Sequence, residues 1–151
     1  MTSKPRAVIF DVDGTLALRD ETDPNVRAWY DWPRVGEDKP NPAVVELAHM
    51  VVNQQHSPGG GPALIVMSGR DAICRPETDK WLEDLEIFYT ELHMRAHKDN
   101  RKDSIIKREI YERDIAPRWD VAWVVDDRQQ VVDMWRDELG LTCFQVAPGN
   151  F

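Results

Sequence analysis

The chain has 151 residues, enough for one domain built around one sizeable core. With 42% hydrophobic and 30% charged residues, ten Pro and eight Gly, it is neither a disordered nor a collagen-like chain. A formal charge of −8 and a pI near 4.9 argue against a protein that coats long duplexes through a basic face. They leave room for one that gathers its few cations around a single phosphate. No apolar run approaches the ~20 residues of a membrane helix. The opening Met1-Thr2-Ser3-Lys4-Pro5 has no secretory character, and two cysteines, Cys74 and Cys143, are too few for a disulfide framework. The expectation is a soluble, cytoplasmic, single domain over 1–151, with no membrane partner and both thiols reduced.

In chain order, Ala7–Phe10 is a β-branched and aromatic run that stops at Asp11, the pattern of a buried strand. Asn41-Pro42 opens a helix whose apolar positions Val44, Val45, Leu47, Ala48, Val51 and Val52 form one face. Ser57–Pro62 reads as an inert glycine-rich loop, and Ala63–Met67 as a second buried strand ending at Ser68-Gly69-Arg70. A helix is expected over Thr78–Leu85, and Ile87–Tyr89 should open a third strand. Asp103 or Ser104 should cap a helix that runs through Ile115. Val121–Val125 is a strand ending in Asp126-Asp127, Gln129–Leu139 a helix stopped by Gly140, and Thr142–Val146 the last strand. Alternating strands and helices predict an α/β Rossmann-like three-layer sandwich with a central parallel sheet of about five strands.

In such a sheet ligands sit beyond the carboxyl ends of the strands. Three expected strands end in polar signatures: Asp11-Val12-Asp13-Gly14-Thr15, Ser68-Gly69-Arg70 and Asp126-Asp127-Arg128. Four carboxylates converging on a small volume repel unless a cation or a proton intervenes, and a hard divalent ion with oxygen ligands, Mg2+, suits them best. A calcium-binding EF-hand loop is excluded, because Gly14 stands fourth rather than sixth and Thr22 replaces the bidentate Glu. The basic candidates Arg70, Arg95, Arg101, Lys102 and Lys107 could surround a phosphate dianion brought to a carboxylate nucleophile.

These residues stand in the order of the four motifs of the haloacid dehalogenase superfamily. Within it the chain resembles the 3′-phosphatase half of bacteriophage-type polynucleotide kinase/phosphatases. The resemblance runs from about Lys4 to Phe151 and includes Ala7–Ala17, Asn41-Pro42, Ser68–Arg70, Arg101–Asp103, Ile115–Pro117, Asp126–Arg128, Met134–Arg136 and Gln145–Ala147. It implies Asp11 as nucleophile, Asp13 as general acid and then base, and Ser68 and Lys107 as ligands of the transferred phosphoryl group. It further implies Mg2+ held by Asp11, the Asp13 carbonyl and Asp126, with Asp127 behind them. Arg27, Arg70 and Arg95 are implied on the substrate, and Asp103 as the residue that positions Lys107; Arg19 competes with Arg27 for the loop position.

No Gly-x-x-x-x-Gly-Lys-Ser/Thr motif occurs, so a kinase half is not expected in this chain. The intervals 16–41 and 70–103 are too short for a full cap domain, which suits an open site for a strand terminus. The expected function is removal of 3′-terminal phosphate from DNA or RNA ends in nucleic acid repair, in the cytoplasm of a bacterial cell or phage-infected host. A polynucleotide kinase or ligase is the expected partner. Two rivals stand beside it: a phosphatase of free nucleotides or other small phosphomonoesters, and a non-catalytic end-binding module, which the presence of both Asp11 and Asp13 disfavours. Taken alone, Asp126-Asp127 reads as a helix cap and Lys107 as a solvated helix residue, and motif order reverses both; Trp29, Tyr30 and Trp32 read as packing at the site edge ahead of the alternative, a surface on which bases stack. His49, His56, His93 and His97 lack metal-ligand spacing.

Overall fold

The computed structural model describes residues 3–151. In chain order its elements are β1 (Arg6–Phe10), β2 (Ala17–Leu18), β3 (Lys39–Pro40), α1 (Pro42–Gln55), β4 (Ala63–Asp71), α2 (Arg75–Asp84), β5 (Glu91–Arg95), α3 (Asp103–Ile110), β6 (Asp120–Asp126), α4 (Gln129–Asp133) and β7 (Cys143–Gln145). The central sheet runs β5-β4-β1-β6-β7 with every pairing parallel, as the alternating pattern requires.

Period-two alternation divides the core. Val8 and Phe10 of β1, Leu64 and Val66 of β4, and Val125 of β6 face α1 and α2, where Val44, Val45, Ala48, Val51, Val52, Trp81 and Leu82 meet them. Ala7, Ile9, Ile65, Met67 and Val124 face the other layer, against Ile106 and Ile110 of α3 and Val131 and Val132 of α4. Val121 joins that second face although it lies three residues before Val124. The register between β1 and β6 shifts at Ala7/Val8, and the extra residue in β6 restores the alternation.

Four local expectations are corrected. Ile87–Tyr89 does not open a strand. The chain leaves α2 through Glu86 at φ 57°, Ile87 plugs the helix–sheet seam, and pairing begins only at Glu91. Neither Asp103 nor Ser104 caps α3: Lys102 is the flanking extended residue, and the Asp103 side chain is turned into the site. α3 and α4 end early and continue as wider turns over Tyr111–Ile115 and Met134–Glu138, where Ala116 N–H donates five residues back to Tyr111 at 2.8 Å. Ser68-Gly69-Arg70 lies inside β4 rather than after it, which carries Arg70 inward as a strand residue.

The 16–41 interval holds the antiparallel β2–β3 pair and a short 3-10 turn over Trp32–Glu37, neither of which the hydrophobic pattern announces. The 70–103 interval is filled by α2 and β5. Neither contains a separate cap domain, so the carboxyl edge of the sheet is reached directly through short segments. Among the described residues, no helix is long and apolar enough to cross a membrane.

Candidate active site

β1 delivers Asp11 onto the α3 side of the sheet, because Asp11 continues the Ala7–Ile9 alternation; β6 delivers Asp126 the same way from Val124. Between them stands Lys107 from α3. Its Nζ donates to Asp11 Oδ1 at 2.7 Å and to Asp126 Oδ2 at 3.0 Å, and lies 3.8 Å from Asp103 Oδ2. The indole N–H of Trp135 donates to Asp126 Oδ2 at 3.2 Å, and the Asp127 backbone N–H to Asp126 Oδ1 at 2.8 Å. Thr15 Oγ1 sits between Asp11 Oδ2 at 2.9 Å and Asp127 Oδ1 at 3.4 Å. The turn that places Thr15 needs Gly14: φ is 81°, and a Cβ there would meet Asp127 Oδ2 at 2.0 Å.

This pole carries excess negative charge. Carboxylate oxygens of Asp11, Asp126 and Asp127 lie within 4.8 Å of one another, all three residues buried. With all three ionised, the one ammonium would leave two negative charges, which a single divalent cation would balance. Burial, then the neighbouring Asp126 charge, pushes the Asp11 carboxyl well above the usual carboxylate range, and Asp127 is raised for the same reasons. Burial works against the charge of Lys107, but Asp11, Asp126 and Asp103 outweigh it and raise its pKa. A buried, oxygen-only set with uncompensated charge fits a hard cation such as Mg2+.

A second pole is built from Asp13, Arg70, Arg27 and Asp38. Arg70 Nε donates to both oxygens of Asp13 at 3.1 and 3.0 Å, and its Nη2 to Asp13 Oδ1 at 2.8 Å. Nη2 also reaches Asp38 Oδ2 at 2.8 Å, and Nη1 reaches Thr78 Oγ1 at 3.1 Å. Arg27 forms a fork on the same Asp38, Nε to Oδ1 and Nη2 to Oδ2, both at 2.7 Å. Its Nη2 lies 3.5 Å from Asp13, and its Nη1 donates to the carbonyls of Ala28 and Trp29. The Asp38 carbonyl in turn accepts from the indole N–H of Trp81 at 2.8 Å.

Of the expected residues, the structure therefore gathers Asp11, Lys107, Asp126 and Asp127 at one pole and Asp13 and Arg70 at the other. Ser68 is fully buried in β4, its Oγ accepting the Arg70 backbone N–H at 3.1 Å. Arg27 is a buried brace with every nitrogen engaged. Arg95 stands a layer behind, donating to the carbonyls of Gly69, Asp99 and Arg101, and to Asp103 Oδ1 at 3.2 Å. Asp103 packs so close to Gly69 that a Cβ there would meet its Oδ1 at 2.1 Å. Arg19 is spent on Glu21 at 2.9 Å and on the Arg27 carbonyl. Asp38 was not legible: Glu37-Asp38-Lys39 reads as an exposed charged stretch, and only the fold shows two buried guanidiniums closing over it. Cys143 is buried, its thiol pushed up to about 12 by burial and then by Asp126, which leaves it inert.

A parallel sheet that presents Asp-x-Asp, a strand serine, a buried helix lysine and an Asp-Asp pair along one edge is a phosphatase domain of the haloacid dehalogenase type. Residues 5–151 match the family model for the polynucleotide kinase PNKP phosphatase domain, and the chain belongs to that family. A protein of Autographa californica nuclear polyhedrosis virus, named as a bifunctional polynucleotide kinase/RNA ligase, is 35% identical over 145 residues; the match covers 95% of this chain and 20% of that protein. Two structures of the Pnkp1/Rnl/Hen1 complex, one described as an RNA repair complex, contain chains 41% identical to this one with a TM-score of 0.87. The whole of this chain is matched there, against 45% and 49% of those chains, so it spans less than half of each.

Proposed function

We propose that the domain is a Mg2+-dependent polynucleotide 3′-phosphatase that works through an aspartyl-phosphate on Asp11. The observation that carries this reading is the Asp11 carboxylate, buried between Lys107 and Thr15 and flanked by Asp126 and Asp127, beside an arginine-held Asp13.

Asp11 Oδ forms a bond to phosphorus as the bond from phosphorus to the 3′-oxygen breaks. Lys107 holds Asp11 in place while its remaining proton faces the transferring oxygens, which Ser68 Oγ–H also serves. Asp13 gives its proton to the leaving 3′-oxygen, then takes one from the water that hydrolyses the acyl phosphate, returning Asp11 and releasing inorganic phosphate. Protonation turns one Asp13 oxygen into a donor and weakens its hold on Arg70, which favours a turn toward the leaving oxygen. The phosphate dianion supplies Arg70 with replacement acceptors at that moment. Mg2+, held by Asp11, the Asp13 carbonyl and Asp126 with Asp127 behind, would offset the repulsion between dianion and carboxylate.

The family membership supports a polynucleotide end as substrate, and the capless edge and net charge of −8 support recognition of a terminus over a long strand. The relatives' names support work beside a kinase and a ligase in repair. Phosphate release from a 3′-phosphorylated oligonucleotide and its 5′-phosphorylated twin, with Mg2+ or EDTA, tests the reading. Release from the 3′ end alone, dependent on Mg2+, is expected; equal release from both ends would make it a general phosphomonoesterase.

A further inference from the structure

We propose that Trp29 and Tyr30, backed by Trp32, form a stacking platform for a base within the last two nucleotides of the substrate strand. The inference deepens the 3′-phosphatase reading and rests on it for the identity of the strand.

Trp29 and Tyr30 are 64% and 63% exposed, adjacent large aromatics that the core does not use. They are nonetheless ordered against each other. Trp29 meets Tyr30 edge-to-face with ring centroids 5.4 Å apart, and Trp32 in the same manner at 6.0 Å. The loop backbone is fixed from below: Arg27 Nη1 donates to the Ala28 and Trp29 carbonyls at 3.1 and 3.0 Å, and Asp31 N–H to the Ala28 carbonyl at 3.0 Å. A platform held this way loses little freedom when a base lands on it.

Position makes the platform specific to this site. The guanidinium that carries the Trp29 carbonyl also lies 3.5 Å from Asp13. One planar group thus joins the aromatic loop to the carboxylate that must serve the leaving 3′-oxygen, so a base at the loop belongs to a nucleotide next to the scissile phosphate. Charge argues the same way. The cations around the loop are already paired: Arg34 with Glu37 at 2.8 Å, Arg19 with Glu21 at 2.9 Å and Lys39 with Asp20 at 3.2 Å. A strand lying there is offered ring faces rather than phosphate partners, and every base has a π-face to stack.

Steady-state kinetics of a Trp29→Ala, Tyr30→Ala double variant provide the test, with melting as a check on folding. On a 3′-phosphorylated dodecamer, KM should rise about 5- to 150-fold while kcat changes less than about twofold. A dodecamer abasic at its last two positions should already show a raised KM with the native protein and no further rise with the variant. Trp29→Phe should recover most of the loss. Because stacking rather than phosphate neutralisation holds the strand, kcat/KM should fall only shallowly with salt. An unchanged KM, or an equal rise on the abasic strand, overturns the platform. Tryptophan fluorescence in an Asp11→Asn background keeps the test independent of turnover: base-bearing strands should quench it and abasic-ended strands should not, with the difference lost in Trp29→Ala. Absence of that difference overturns the platform even where 3′-phosphate is released. If instead quenching follows the bases while no 3′-phosphate is ever released, the platform stands and the catalytic reading fails.

Discussion

The two poles of the site treat a carboxylate in opposite ways. At the lysine pole, the side chains of Asp11 and Lys107 are 7% and 1% exposed, and three carboxylates crowd one ammonium. At the arginine pole, Arg70 is fully buried but the Asp13 side chain it holds is 45% exposed. The first arrangement fixes an oxygen in one place and leaves it short of cations, as suits a nucleophile that awaits a metal and a phosphate. The second holds the carboxyl through three bonds from Arg70 yet leaves it open to water, as the proposed acid and base would need. Two aspartates two residues apart in sequence acquire different surroundings because a strand end buries one and a Gly14 turn exposes the other.

Substitutions should separate the poles. Asp11→Asn is expected to lower kcat at least about 10⁴-fold, since no other group can take the phosphoryl. The same change should raise Tm of the metal-free protein by about 2–4 °C, because it removes one member of a repelling cluster. The raised Asp11 carboxyl sets the sign: its ionised form disfavours the metal-free fold, so metal-free stability falls as pH climbs past the ordinary carboxylate range, and saturating Mg2+ should cancel that fall. A metal-free Asp11→Asn protein less stable than the native one would contradict the charge imbalance.

Asp13→Asn should cost about 10²–10⁴-fold in kcat with little change in Tm, since its side chain is half in water. Asp38→Ala should do the reverse. Two buried guanidiniums lose their shared acceptor, so a loss of about 3–5 kcal/mol in stability is expected alongside a 10- to 100-fold fall in activity, with Asp38→Asn milder on both. Parallel unfolding curves and kinetics on one set of variants would show whether activity and stability part company as the two poles predict.

The smallest catalytic effect belongs to a network outside both poles. Arg118, with His93 and Trp119, holds the Glu91 carboxylate down to about 2 from 4.5. A depressed carboxylate stabilises the fold above its unfolded pKa and loses that contribution as pH falls from 4.5 toward 2. Glu91→Gln should therefore flatten the acid limb of the stability curve in that window, with kcat changed less than about twofold.

At the lysine pole the pattern of strand ends made the meeting of carboxylates legible, while Lys107 entered only through its place in the motif order. Asp11 and Asp126 follow buried strands at the right parity, whereas the Ile105–Ile110 helical pattern by itself leaves Lys107 a solvated residue. The arginine pole was legible only where a motif marked it, at Asp13 and Arg70. Asp38 hides in a charged stretch, and its value arises from Arg27 and Arg70 arriving from distant positions, a tertiary fact with no local trace. The β5 start was missed for a related reason: Ile87 is apolar because it fills a seam, and hydrophobicity does not distinguish a plug from a strand. Trp135 lies within the expected Gln129–Leu139 helix, but nothing in that pattern shows its indole N–H on Asp126.

Rapid acid quench of the reaction on an oligonucleotide carrying radiolabelled 3′-phosphate tests whether Asp11 takes the phosphoryl group. Label is expected transiently on the protein, mapped to Asp11 and absent from Asp11→Asn. Label passing straight to inorganic phosphate, with Asp11→Asn still turning over, would contradict it.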